Sequence, residues 1–418
     1  MAVRWRRVPI WRAYAGVEPV PPAGSSPTSR VSVIVPARNE ERNIERCVRS
    51  LLDQPYASWE LIVVDDGSTD ATPGILARLA ASSPRLRVLT APPLPPGWVG
   101  KSAALAAGSA VASGDWLLFT DADTTHEPGV LAAVVAFAEA HGVDMLSLLT
   151  QQEMHTFWER TALPAYFTSI AQAGSLAEVN DPRSSIAWAN GQFILIRHAT
   201  YDAIGGHAAI RTRVVEDFAL AVLVKRQGHR LMLADGRAWV RTRMYESLRG
   251  IWNGVSKSLS SRRSRPLRSL AGAARDLAAV AVPLGLLCVG ALGAATASSS
   301  RWPALAFAAG SAMLGWHFAI GVVLARQLRI PPVYGLLRPL GILTYAAIKL
   351  NAAYLLLSGR GMAWKGRRYN EAALQSPEAG ERQTASAVSD EGLTSRGDAA
   401  APVRGRPGAA REPGPGPP

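Results

Sequence analysis

Trp116-Leu117-Leu118-Phe119-Thr120-Asp121-Ala122-Asp123 is a short apolar run that stops abruptly in two carboxylates separated by one small residue. Side chains two apart on an extended backbone project the same way. The run therefore predicts a buried strand whose end turns Asp121 and Asp123 toward one point, with Ala122 facing away. Two hard oxygen ligands at the carboxyl end of a strand suit Mg²⁺ or Mn²⁺ that is also held by phosphate oxygens. Taken alone, Asp-x-Asp after an apolar strand also reads as a turn or a helix cap. The surrounding chain decides between these readings.

Upstream, Val31-Ser-Val-Ile-Val-Pro36-Ala37 is a second β-rich apolar run, and residues 61–64 form a third that ends in Asp65-Asp66-Gly67-Ser68-Thr69-Asp70. Residues 87–91 form a fourth. Helical spacing joins them, first through Ile44, Cys47, Val48, Leu51 and Leu52, then from Asp70 to about Ala81, then from Lys101 to Ala112. Strand and helix alternating at this pace predict an α/β fold, a parallel sheet covered on both faces, with its ligand crevice at the carboxyl ends of the strands. Downstream the pattern predicts helices over 126–141 (opening at Pro128), over 157–173 and from Val214 through Val224, with strands over 145–150 and 193–196. No Gly-x-Gly-x-x-Gly follows the first strand, which argues against a dinucleotide-dependent oxidoreductase.

The chain of 418 residues is 48% hydrophobic, and the excess is concentrated. Residues 277–298 carry no charge and 302–325 none apart from the titratable His317, so each is long enough to cross a hydrocarbon core about 30 Å thick. A third apolar segment, 339–357, contains Lys349 and reads as a span, a re-entrant hairpin or an interfacial helix. The formal net charge of +13 clusters beside these segments. Arg262, Arg263, Arg265, Arg268 and Arg275 precede the first, Arg326 and Arg329 follow the second, and Arg360, Lys365, Arg367 and Arg368 follow the third. Flanking charge of this kind predicts a multi-pass protein of the cytoplasmic membrane with residues 1–270 in the cytoplasm, and anionic lipid rather than nucleic acid as the partner of the basic residues.

Cys47 and Cys288 make no disulfide framework. Residues 1–29 form a basic segment, with Arg4, Trp5, Arg6, Arg7, Trp11 and Arg12, that either touches the membrane surface or is a disordered tail. Residues 375–418 lack apolar periodicity and are expected to be disordered. The expected organisation is this amino-terminal segment, a catalytic domain over 30–265, a membrane region over 276–358 and the tail.

Four blocks carry a resemblance: Val31-Ser-Val-Ile-Val-Pro36-Ala37-Arg38-Asn39-Glu40, Val63-Val-Asp65-Asp66-Gly-Ser-Thr-Asp70, Asp121-Ala-Asp123 and Val215-Glu216-Asp217. As a set, in this order, they resemble the family 2 glycosyltransferases. The resemblance implies the GT-A fold, a Rossmann-like mixed sheet with helices on both faces, and a metal-dependent, inverting transfer of a hexose from a nucleotide-diphosphate sugar. Leu94-Pro-Pro-Gly-Trp98-Val-Gly-Lys101-Ser, Thr120-Asp-Ala-Asp-Thr-Thr-His126 and Tyr245-Glu-Ser-Leu-Arg249-Gly-Ile-Trp252 look like bacterial membrane-bound enzymes associated with hopanoid and carotenoid glycosylation, which implies a membrane-embedded or lipid-linked acceptor.

On that resemblance Pro36, Ala37, Arg38 and Glu40 form a nucleotide-cradling loop, with Arg38 equally readable as a surface arginine. Either Asp65 or Asp66 bonds the base or ribose, while Ser68 or Asp70 caps the next helix. Asp121 and Asp123 hold the metal. Lys101 adds a positive group near the phosphates, an unusual choice for a mere surface residue at a helix start. Asp217 is the general base with Glu216 beside it, although a Glu-Asp pair at a helix start is also a plain capping feature; His207 is a weaker substitute. Trp188, Asn190, Gly191 and Gln192 lie on the acceptor side. Processive synthases of the family carry Gln-x-x-Arg-Trp, and here Arg249 and Trp252 keep the Arg-x-x-Trp pairing without the glutamine. Single transfer is thereby favoured over chain extension, with Arg249 free to contact the diphosphate and Trp252 placed either by the acceptor or at the membrane interface. A polysaccharide synthase and an inactive membrane scaffold of the same fold are the competing readings.

Overall fold

The computed structural model describes residues 17–24, 27–172, 176–261, 266–296, 300–360, 362–365 and 367–369. Arg4, Trp5, Arg6, Arg7, Trp11, Arg12, Arg262, Arg263 and Arg265, and the tail read from 375, lie outside the described residues.

β1 (Val31–Ala37), α1 (Ile44–Leu52), β2 (Trp59–Asp65), α2 (Thr72–Ala81), β3 (Leu86–Thr90), α3 (Gly100–Ser109) and β4 (Trp116–Phe119) alternate as the spacing predicts. They are followed by β5 (Thr124–His126), α4 (Val130–Ala140), β6 (Met145–Leu149), β7 (Gln151–Gln152), α5 (Phe157–Gln172), β8 (Ile194–Arg197), α6 (Glu216–Arg226), β9 (Leu231–Asp235), β10 (Val240–Thr242) and α7 (Leu248–Ser261). Seven strands make the main sheet in the order β3-β2-β1-β4-β8-β6-β9. β1 to β4 are parallel, but β8 runs against both β4 and β6. The sheet is thus mixed rather than parallel throughout. The helix expected from residue 126 begins at Val130 instead, because Thr124 to His126 pair with β10 in a small second sheet.

Alternate residues of the central strands feed two apolar layers. Val33, Val35, Leu61, Val63 and Leu118 face one, and Ile34, Ile62, Val64, Leu117 and Phe119 the other. A strand buried on both faces reads as an unbroken apolar run, which is why these segments stood out in the sequence. The domain also begins earlier than residue 30. Val20 is buried, its N–H donates to the Asp235 carbonyl at 3.1 Å, and Pro19 bridges Asp235.

From β1 the chain moves outward to β2 and β3, then returns to lay β4 on the other flank of β1. The reversal leaves a crevice between the carboxyl ends of β1 and β4, where open α/β sheets take their ligands. Pro36 sharpens it. Ile34 accepts from Thr120 N toward β4, whereas Ala37 accepts from Asp66 N toward β2. By alternation Pro36 faces the β4 side, beyond the last paired residue, Phe119. A residue without an N–H is tolerated there, and the backbone is left open to the crevice.

α8 (Pro266–Ala295), α9 (Trp302–Gln327) and α10 (Arg338–Leu357) follow, the last entered through a 3₁₀ turn (Pro332–Leu337). α8 starts well before the apolar window 277–298, carrying Arg268 and Arg275 on its first turns. Counting the 3₁₀ turn with α10, three helical segments are long and apolar enough to cross a membrane. In the first two, only 17% of the most apolar window is buried, against 44% in the third. Val289, Leu292, Trp302, Leu305 and Trp316 are exposed, as lipid-facing side chains are. α8 and α9 approach closely: a Cβ on Gly310 would lie 2.7 Å from the Pro283 carbonyl oxygen.

α10 differs. Its Gly341 sits against the Thr161 carbonyl of α5, Tyr345 Oη donates to Ser169 Oγ at 3.0 Å, and Asn351 Nδ2 donates to Ser256 Oγ of α7 at 2.9 Å. Lys349, the charge inside the third apolar segment, pairs with Asp276 of α8 at 2.6 Å and is buried. A buried cation is tolerable only with such a partner, so the pair pins α10 to α8.

Candidate active site

The loops after β1 and β2 are tied to one another by side-chain bonds to backbone. Asn39, in the left-handed region at φ 52°, accepts from Thr69 N at 2.8 Å and donates from its own N to Ser68 Oγ at 2.9 Å. Asp70 Oδ1 accepts from Thr72 N at 3.0 Å and its Oδ2 from Glu41 N at 3.1 Å. Asp65 Oδ1 accepts from Ser68 N at 3.1 Å, a turn-forming bond, and of the two capping candidates it is Asp70, not Ser68, that bonds the first residue of α2. Arg38 is not a free surface arginine. Its guanidinium donates to the Asp66 and Gly67 carbonyls and, from Nε, to the Lys365 carbonyl at 2.9 Å.

β4 stops at Phe119, and Asp121 to Asp123 occupy a turn rather than the extended end expected of them. Buried polar bonds hold that turn: Thr120 Oγ1 donates to the Gln192 carbonyl at 2.7 Å and lies 3.0 Å from Thr124 Oγ1. Burial of the nearby His126 lowers its pKa to about 3, which keeps it neutral. Asp121 Oδ1 lies 2.6 Å from Lys101 Nζ. Asp123 Oδ1 is buried with no hydrogen-bond partner. Burial, reinforced by the charges of Asp121 and Glu40, pushes the Asp123 carboxyl up to about 8.

Lys101, on the first turn of α3, also reaches Glu216 Oε1 at 2.5 Å. Burial works against its charge, but Asp121 and Glu216 outweigh that and raise its pKa well above the usual value. Glu216 in turn is lowered, since Lys101 overcomes the opposing effect of burial. Asp217, beside it at the amino end of α6, accepts from Gly191 N at 2.9 Å and from Phe218 N at 2.7 Å. A Cβ on Gly191 would lie 3.1 Å from Asp217 Oδ2 and 3.2 Å from Lys101 Nζ, so these groups share one corner. Burial and the Glu216 charge raise Asp217 to about 6, with Lys101 opposing. The cavity here is lined by Pro36, Lys101, Asp121, Gly191, His207 and Glu216, among others. Carboxylates from two stretches far apart in the chain, Asp121 and the Glu216-Asp217 pair, therefore gather at the crevice between β1 and β4.

Residues 32–218 match the family profile described as glycosyl transferase family 2. The chain carries a family 2 glycosyltransferase domain. It is 28% identical over 234 residues to the 4,4'-diaponeurosporenoate glycosyltransferase of Staphylococcus aureus (strain USA300), covering 55% of this chain and 61% of that one. It is 26% identical over 222 residues to the protein of the same name from Staphylococcus haemolyticus, covering 53% and 58%. The chain thus spans about six-tenths of the length of these relatives. Among solved structures it is similar to a mannosyltransferase from Pyrobaculum calidifontis in complex with GDP-Man and Mn²⁺, with 21% identity, a TM-score of 0.49, and coverage of 83% of this chain and 93% of that one. It is also similar to TarS of S. aureus, with 18% identity, a TM-score of 0.39, and coverage of 79% and 55%. The mixed α/β sheet with helices on both faces is the GT-A-like architecture.

Several expected residues stand elsewhere than at the cavity. Arg249 is exposed on the first turn of α7, and among the described residues no bond joins it to the clustered carboxylates. Trp252 packs on the apolar cluster between α5, α7 and α10, and Trp188 packs on the sheet core. Asn190 and Gln192 turn inward: Asn190 Nδ2 donates to the Leu148 carbonyl at 3.0 Å, and Gln192 Oε1 accepts from Gln152 Nε2 at 2.9 Å. Of that block, Gly191 is the residue that touches Asp217. His207 is buried with Nδ1 2.9 Å from Tyr201 Oη, and burial lowers it to about 4.

Three cations were missed as site residues. Lys257 of α7 faces Glu216, Lys101, Asp121 and Asp217, with its pKa lowered by burial. Lys365 pairs with Glu40, and Arg367 with both oxygens of Asp66, Nη2 to Oδ1 at 2.9 Å. Lys365 and Arg367 stood out in the sequence only as flanking charge after the third apolar segment. No local pattern distinguishes such a residue from one that returns to the catalytic cleft.

Proposed function

We propose that the protein is an inverting hexosyltransferase that moves a sugar from a nucleotide-diphosphate donor to a hydroxyl of a membrane-embedded or lipid-linked acceptor. The observation that carries this is Asp217, a half-buried carboxylate of raised pKa, sharing a corner with Lys101 and thereby with Asp121. In the proposed reaction Asp217 takes the acceptor hydroxyl proton, the freed oxygen bonds to the anomeric carbon, and the bond from that carbon to the diphosphate oxygen breaks on the opposite face. The nucleoside diphosphate leaves with the electron pair. Lys101 and Lys257 offer positive charge beside the departing group.

The residues fit a divalent ion. Asp121 and Asp123 supply hard oxygens, and the unpartnered Asp123 Oδ1 is a buried acceptor in search of a cation. Among the described residues no group of three His, Cys, Asp or Glu could hold a metal alone, so donor phosphate and water would complete the coordination. Mg²⁺ or Mn²⁺ there would neutralise charge building on the leaving diphosphate.

The reading is tested on the full chain in nanodiscs with a panel of UDP- and GDP-hexoses and Mn²⁺, followed by mass and stereochemical analysis of extracted lipid. One added hexose with inverted configuration is expected. A polymeric product would replace this reading with a synthase, and absence of any donor binding would leave the scaffold.

We further propose that the family 2 domain is cytoplasmic, that α8 and α9 cross the membrane, and that α10 lies against the catalytic side. The contacts of α10 with α5 and α7, and the return of Lys365 and Arg367 to the loops after β1 and β2, support this. In a Cys288→Ser background, Thr296→Cys is expected to react with an impermeant maleimide on intact cells, and Ser358→Cys only after permeabilisation. Labelling of Ser358→Cys from outside would make α10 a third crossing.

A further inference from the structure

The chain leaving α10 folds into a two-stranded hairpin, β11 (Met362–Trp364) and β12 (Arg367–Tyr369), with Trp364 paired to Arg367. Lys365 opens its turn at φ 44°. Lys365 and Arg367 reach back to the loops after β1 and β2. Lys365 Nζ bonds Glu40, its carbonyl accepts from Arg38 Nε at 2.9 Å, and the Arg367 guanidinium forks onto the Asp66 carboxylate. Arg367 Nη1 also lies over Gly100, where a Cβ would collide with it, so the hairpin rests directly before Lys101. Lys365 is close enough to Asp123 for its charge to be felt there. Two cations from the far end of the chain are thus set among the carboxyl ends of β1 and β2, the first turn of α3 and the Asp121 turn.

The charges explain what such a pair is for. Within the crevice Lys101 is already shared between Asp121 and Glu216, Lys257 faces the same carboxylates and Asp217, and Arg38 is committed to backbone carbonyls. A nucleotide diphosphate entering beside these groups brings two phosphates that need cationic partners. It also needs Asp66 or Asp65 for its base or ribose, and the Arg367 fork now covers Asp66. A guanidinium fork fits phosphate as well as carboxylate. The Lys365 and Arg367 side chains remain 29% and 22% exposed, so exchanging one anion for the other does not require uncovering a deeply buried charge.

We infer that Lys365 and Arg367 are ligands of the donor diphosphate, held on Glu40 and Asp66 as place-holders until the nucleotide displaces those carboxylates and the hairpin closes on the phosphates. The inference rests on the nucleotide-sugar reading above and adds to it a donor-binding element that lies outside the family 2 domain.

The test is calorimetric binding of UDP and GDP, with uridine and guanosine as controls, to the full chain in nanodiscs with Mn²⁺. Arg367→Ala and Lys365→Ala are each expected to weaken diphosphate binding about tenfold, the usual worth of a charge-assisted bond. Nucleoside binding should be unchanged or tighter, since Asp66 is uncovered. Arg367→Lys and Lys365→Arg should keep much of the affinity, which a variant that had merely lost its fold would not. Unchanged diphosphate affinity in the alanine variants overturns the inference and leaves the proposed function standing. Tighter diphosphate binding also overturns it, and makes the hairpin a plug. No diphosphate binding by the unaltered chain removes both.

Discussion

Asp217→Asn is expected to lower kcat by about 10³-fold, the ordinary contribution of a positioned base, with nucleotide affinity and melting temperature little changed. The amide is isosteric, and its carbonyl oxygen can still accept from Gly191 N, so the loop before β8 keeps its anchor. The pH dependence sharpens the expectation. Asp217 must be deprotonated to accept a proton, and burial together with Glu216 places its pKa near 6. In the unaltered protein kcat/KM should therefore be level above that pH and fall about tenfold per unit below it. The charged groups facing Asp217 are Glu216, Lys101 and Lys257. Glu216→Gln removes the repulsive one, and the acid limb should move to lower pH. A limb that stays in place in Glu216→Gln, or activity retained in Asp217→Asn, would mean that another group takes the proton.

The second large effect is expected at the Asp121 turn. Asp123→Asn should abolish Mn²⁺-dependent binding of nucleoside diphosphate and cut turnover by about 10³-fold or more. At the same time it should raise the melting temperature measured without metal. In the metal-free protein Asp123 carries a buried oxygen with no partner and faces the charges of Asp121 and Glu40. A carboxyl raised to about 8 must take up a proton on folding at neutral pH; an amide carries no such cost, and each kcal/mol regained shifts the transition by about 2–4 °C in a domain of this size. Asp121→Asn should likewise lose metal dependence without that gain, because it gives up the ion pair with Lys101. Loss of binding together with a lower melting temperature in Asp123→Asn would make the carboxylate a structural group instead.

The central strands were legible because β1, β2 and β4 are buried on both faces and so appear as unbroken apolar runs. β9 carries the same signal over Leu231 to Ala234, although the sequence reading does not include it, whereas β10 and β7 are three and two residues long and too short to show one. The extended geometry expected of Asp121-Ala122-Asp123 was wrong because β4 ends two residues earlier. The hydroxyl of Thr120, bonded to the Gln192 carbonyl, bends the chain there into a turn. Asn190 and Gln192 look like cleft residues in sequence, yet they satisfy one another and the backbone of β6. A polar side chain in a motif does not declare which of its possible partners it will choose.

The amino-acid sequence by itself determined the α/β core, the acidic blocks and their order, and the long apolar helices. Those properties live in local periodicity and in residue type at fixed short spacing. Only the tertiary structure decided how the charges are shared. It gave Lys101 to both Asp121 and Glu216, kept Asp217 on Gly191, left Arg249 outside, and brought Lys365 and Arg367 back across hundreds of positions to Glu40 and Asp66. Such pairings are set by which loops the sheet order places side by side, and no window of the chain shorter than the whole fold contains that information.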